Sequence, residues 1–139
     1  MAVLENCEPK RVFHYFEEIC KIPHGSGNTK QISDYLVQFA RDHELSWYQD
    51  ASNNVIIRRP ASKGCELAPT VILQGHCDMV CEKKPGSSHD FTKDGLELHI
   101  DGDEIYAGTR RLAETTELPL PICWLCWNRM ICSFRPSRH

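Results

Sequence analysis

The chain has 139 residues and a mass of 16.0 kDa, enough for one domain with a core of its own. Apolar residues make up 41% and charged residues 25%, an ordinary balance for a water-soluble globular chain. The formal net charge of −3 gives no electrostatic case for nucleic acid or an anionic membrane as partner, and no apolar run is long enough to cross a bilayer.

The opening M-A-V-L-E-N-C-E-P-K has neither a basic n-region nor an apolar h-region, so a secretory leader is not expected and the cytoplasm is the expected compartment. Pro9 suits the first turn of a helix. Val12, Phe13, Phe16, Ile19 and Cys20 then recur at helical spacing, with Glu17 and Glu18 expected on the outer face. The pattern stops at Ile22-Pro23, because the residue before proline is pushed out of the helical region. H-G-S-G-N follows as a glycine-rich turn, with Asn28 the expected cap of a second helix. That helix carries Ile32, Leu36, Phe39 and Ala40 on one stripe and ends near His43.

A strand pair is expected over residues 45–49 and 55–59, joined by the turn formers D-A-S-N-N. Residues 60–69 read as a surface loop. Residues 70–74 are continuously apolar, the pattern of a short strand buried in a parallel sheet. A second hairpin sets L-E-L-H-I against E-I-Y, turned by Asp101-Gly102-Asp103. Helices followed by strands entering a sheet give an α/β class. From Ala107 onward no period of 2 or 3.6 is sustained, and Pro119 and Pro121 break any helix.

Chemistry could gather at His76 and Asp78 in L-Q-G-H-C-D-M-V. Ligands in open α/β sheets bind beyond the carboxyl ends of strands, where this pair would lie. Residues i and i+2 of extended backbone point the same way, so both side chains would face one site. A neutral imidazole suits zinc, and a nearby carboxylate can fix its tautomer. Alone, H-x-D is short, and a polar loop with a surface histidine explains it at least as well. His14, His43, His89 and His99 read as structural. Of the eight cysteines, Cys7, Cys20, Cys65, Cys77 and Cys81 are scattered, and reduced or metal-bound thiols fit better than disulfides. Cys123-x-x-Cys126, with Cys132 behind it, could form half of a zinc site, alone or with Cys77 and Cys81.

Taken together, P-K-R-V-F-H-Y-F-E-E-I, I-P-H-G-S-G-N, I-S-D-Y-L, N-N-V-I-I, A-P-T-V-I-L-Q-G-H-C-D-M-V-C-E-K, H-D-F and I-D-G-D-E-I-Y-A occur in the order and spacing of a known family. From about Leu4 to Ala107 the chain resembles the amino-terminal part of the aminoacyl-histidine dipeptidases, also called cytosol non-specific dipeptidases or peptidase D. The resemblance implies the first part of a zinc-peptidase catalytic domain: two helices, then strands of a mixed sheet, left incomplete. It implies a cytoplasmic enzyme that hydrolyses dipeptides, including those ending in histidine, with a metal-activated water at a two-zinc site. His76 would be a metal ligand and Asp78 the catalytic carboxylate that holds its ring.

The likeness stops at Tyr106-Ala107, where relatives continue D-G-T-T-L-G-A-D-N-G with the aspartate that bridges both metals. Residues 1–107 therefore read as a partial metallopeptidase domain and residues 108–139 as a foreign, poorly ordered tail. Reading each codon one base early permits G-D-N-G over residues 113–117, then I-A-V-A-N-M-L-A-V-L-E-P-D through Met130. A frameshift near residues 107–110 is the expected origin of the tail. One matching ligand cannot hold two ions, so these residues alone are expected to be inactive, and the exposed edge of an unfinished sheet with an apolar tail predicts poor solubility. The rival reading is a small non-catalytic binding module with a structural zinc on the tail cysteines.

Overall fold

The structure is a computed structural model that describes residues 3–83, 85–102 and 104–107, together with the backbone of 110–111. Helix α1 spans Lys10–Cys20 and α2 spans Lys30–Asp42. Strands β1 (Ser46–Gln49) and β2 (Val55–Arg58) form one antiparallel pair, with Trp47 opposite Ile57. Strands β3 (Leu98–Asp101), β4 (Glu104–Ala107) and β5 (Arg110–Arg111) form a second antiparallel sheet in that order. Helices beside small sheets bear out the α/β reading. Parallel pairing among the described residues is confined to one bridge, Gly25 to Met79.

Each sheet leans on one helix. Leu4, Phe16, Cys20 and Leu98 form one buried cluster, joining α1 to β3 with Phe13, Leu96 and Ile105 at its margin. The tie is also polar: the Leu96 N–H donates to the Cys20 carbonyl at 2.6 Å, just where α1 ends. Leu36 and Phe39 centre the second cluster, joining α2 to the β1–β2 hairpin through Leu45, Val55 and Ile57. The hairpin turn is closed by Asp50, whose carboxylate accepts the N–H groups of Ser52 at 2.8 Å and Asn54 at 2.9 Å. Asn53 sits at φ +67°, a left-handed conformation that asparagine tolerates.

Three expectations need correction. Glu17 lies inside rather than on the outer face, because the amino-terminal segment folds over α1. Its carboxylate accepts the N–H groups of Val3 at 3.0 Å and Leu4 at 3.2 Å. Asn28 does not cap α2; Thr29 precedes the helix without a side-chain cap, and the Asn28 amide donates to the Thr92 carbonyl at 3.2 Å instead. Residues 70–74 are neither a strand nor buried: Val71 is 63% and Ile72 85% exposed. A continuously apolar strand needs paired edges and both faces covered, and no strand pairs with it among the described residues. No helix of the described residues is long and apolar enough to cross a membrane.

Candidate metal-ligand site

His76, Cys77, Asp78 and Met79 alternate in direction, as extended backbone requires. Cys77 turns inward against the Leu36–Phe39 cluster, and Met79 is buried. His76 and Asp78 turn outward together, their side chains 46% and 39% exposed. The i, i+2 reading therefore holds for orientation. The segment is fixed on its other side by residues 24–26, which run beside it. The Met79 N–H donates to the His24 carbonyl at 3.0 Å, and the Ser26 N–H donates to the Met79 carbonyl at 3.1 Å. A Cβ at Gly25 would lie 2.1 Å from the Cys81 Sγ, which would have to rotate aside.

The imidazole of His76 is oriented by acceptors. Its Nδ1 lies 2.8 Å from the Asp78 carbonyl and 3.1 Å from Asp78 Oδ1. Neither oxygen can donate once the carboxylate is ionised, so Nδ1 carries the proton and Nε2 keeps its lone pair. The second carboxylate oxygen, Oδ2, accepts the Ser26 hydroxyl at 2.6 Å. The Ser26 hydroxyl, and after it His76, hold the Asp78 carboxyl below the usual carboxylate range. Burial, reinforced by the Asp78 charge, pushes the Cys77 thiol up, favouring its protonated form. His24, only 2% exposed, is pushed down by burial, against the opposing pull of the Ile22 carbonyl and the Asp78 charge.

This arrangement fits one metal–imidazole bond: a free Nε2 on a ring whose other nitrogen is held by a carboxylate. It does not by itself make a complete centre, since no group of three or more His, Cys, Asp or Glu side chains converges among the described residues. The other expected histidines are elsewhere. His43 ends α2 and stacks on Phe39 with ring centres 4.0 Å apart, while His89 meets Phe91 edge-on at 4.6 Å. His14 lies on α1 beside Tyr15, and His99 lies on β3. Cys123, Cys126 and Cys132 lie outside the described residues, as does nearly all of the expected tail. Ser26 was visible in the sequence only as part of a glycine-rich turn, because its partner lies 52 residues away.

No protein-family model matches the chain. The cytosol non-specific dipeptidase of Escherichia coli (strain K12) is 37% identical over 107 residues, which make up 77% of this chain and 22% of that protein. The crystal structure of aminoacylhistidine dipeptidase from Vibrio alginolyticus superposes with a TM-score of 0.80 at 30% identity. That match covers 89% of this chain and 25% of the dipeptidase. In sequence and in backbone alike, the chain is related to the aminoacyl-histidine dipeptidases, spanning about a quarter of their length.

Proposed function

We propose that the chain carries the amino-terminal part of a dipeptidase metal site, with His76 as a zinc ligand through Nε2 and Asp78 as the carboxylate that orients it. The observation that carries this is the 3.1 Å contact between His76 Nδ1 and Asp78 Oδ1 in a segment of dipeptidase-like sequence. A divalent ion bound there would supply Lewis acidity and an activated water for peptide hydrolysis. The chain's own contribution is narrower: Asp78 keeps the His76 proton on Nδ1, and Cys77 and Met79 anchor the backbone on either side of Asp78. The substrate class is a dipeptide, including those with carboxy-terminal histidine, and the compartment is the cytoplasm.

The 139 residues present supply one residue that matches the family's ligands, so by themselves they do not hydrolyse dipeptides. Residues 108–139 we read as an out-of-frame tail; the nucleotide sequence across codons 106–130, with one base added or removed, should spell D-G-T-T-L-G.

Zinc titration of the purified chain, followed through the ring signals of each histidine and combined with an Xaa-His hydrolysis assay, tests this reading. Zinc should perturb His76 before His14, His43, His89 and His99, with no turnover above the blank. One tightly held zinc that survives His76→Ala but is lost on replacing Cys123 and Cys126 would overturn it in favour of a structural-zinc module. Zinc-dependent turnover abolished by His76→Ala would overturn the inactivity of these residues alone.

A further inference from the structure

We propose that Ser26 is a positioning residue for the His76–Asp78 pair, using its hydroxyl to fix the rotation of the Asp78 carboxylate. The inference concerns the geometry of the pair, and its bearing on catalysis rests on the metal-ligand reading above. A terminal carboxylate torsion is broad and roughly two-fold, so one hydrogen bond leaves it free to swing. Here both oxygens are engaged, Oδ1 by the His76 ring at 3.1 Å and Oδ2 by the Ser26 hydroxyl at 2.6 Å. The carboxylate can only accept, so both partners must donate. Ser26 thereby holds Oδ1 against the ring, where it reinforces the closer Asp78 carbonyl, 2.8 Å from Nδ1, in keeping the His76 proton there.

The hydroxyl is delivered by backbone rather than by chance. Residues 24–26 are clamped to Met79 by the two flanking N–H bonds to carbonyls, at 3.0 and 3.1 Å. The Asn28 N–H closes the turn onto the Gly25 carbonyl at 2.7 Å, fixing where Ser26 leaves the strap. The other acceptor within reach, the Met79 carbonyl at 3.4 Å, is the poorer partner. At residue 25 the strap passes close to Cys81, so the chain brings two segments together at the serine that meets the carboxylate.

The test uses the 15N-labelled full chain at about pH 8.5, an alkaline condition chosen because tautomers are read on neutral rings. Ring correlations of His76 read the tautomer directly. Ser26→Thr keeps the hydroxyl and should retain protonated Nδ1. Ser26→Ala and Ser26→Val, the second isosteric with threonine, leave the Asp78 carbonyl as the steady acceptor at Nδ1 and should let a minor Nε2–H tautomer grow in. Zinc affinity at His76 should fall about tenfold in the variants without the hydroxyl, the lower end of the effect of removing a residue that orients a ligand. The Ser26 and Met79 amide signals report whether the strap remains paired. If Ser26→Ala disrupts it, the threonine–valine pair decides. Identical tautomers in that pair would overturn the proposal. If the tautomer follows the hydroxyl while zinc never perturbs His76, the positioning role stands and the metal reading falls. If zinc perturbs His76 equally in every variant and the tautomer never moves, the metal reading stands and the positioning role falls.

Discussion

Two neighbouring glutamates should behave very differently when removed. Glu17 is 6% exposed and accepts two backbone N–H groups, from Val3 and Leu4. The adjacent Glu18 makes only a surface pair with Lys21 at 2.8 Å, whose ammonium, on a side chain 55% exposed, also lies 3.9 Å from Glu17. Hydrogen bonds to a charged acceptor contribute about 1.5–3 kcal/mol each, and a buried donor left unpaired costs about as much. Val3 can rehydrate when Glu17 is truncated, but Leu4 is 1% exposed and packs against Phe16, Cys20 and Leu98. Glu17→Ala should therefore cost about 2–4 kcal/mol, most of it through the Leu4 amide. Glu18→Ala should cost at most about 0.5 kcal/mol, as exposed ion pairs do. Urea unfolding of both variants gives the difference. Hydrogen exchange at Leu4 locates it, with an opening equilibrium shifted by roughly thirtyfold for each 2 kcal/mol. Equal stabilities within about 0.5 kcal/mol, or unchanged Leu4 exchange in Glu17→Ala, would refute the argument that this carboxylate holds the amino-terminal segment.

Gly95→Ala should destabilise by about 1–3 kcal/mol by overpacking, because its Cβ would lie 2.3 Å from the Lys21 carbonyl oxygen and 2.8 Å from its Cα. Backbone cannot swing aside as a flexible side chain can, and thermal unfolding measures the loss. Asp90 is held down to about 2, first by the Thr92 hydroxyl at 2.6 Å, then by the Thr92 N–H at 3.0 Å and by Lys93. Its folded value lies below the ordinary 3.8, so its contribution is present above about pH 4 and is lost as pH falls through about 2. Thr92→Ala should move the Asp90 carboxyl back toward 3.8, read by carboxyl-carbon titration; an unmoved value would refute the assignment of cause.

What was legible in the sequence was local. The 3.6-residue spacing of Val12, Phe16 and Ile19, and of Ile32, Leu36 and Phe39, produced both helices because an apolar stripe has to meet a core. The turn formers between residues 49 and 55 produced the first hairpin within one residue at each end. Contacts between distant segments left no such trace. Nothing around Glu17 signals that residues 3 and 4 return to it, and helical spacing alone put it outside. Asn28 has the chemistry of a cap, yet its amide is taken by Thr92, 64 residues on. Local propensity names what a side chain can do, and tertiary packing chooses among the options.

The segment around His76 shows this from the other direction. Both side chains share a face, as i, i+2 alternation predicts, although residues 70–74 form no strand to lead into them. The alternation needs only extended backbone, and two anchors impose that locally. Cys77 is drawn into the α2–hairpin cluster, while Met79 is bonded to the strap of residues 24–26. With Cys77 and Met79 held inward, His76 and Asp78 have no direction left but outward and together. The pair is thus set by α2 with its hairpin and by the turn between the two helices, rather than by a strand over residues 70–74. The exposed Val71 and Ile72 can be perturbed without disturbing the Nδ1 contact, whereas loss of the strap would release it.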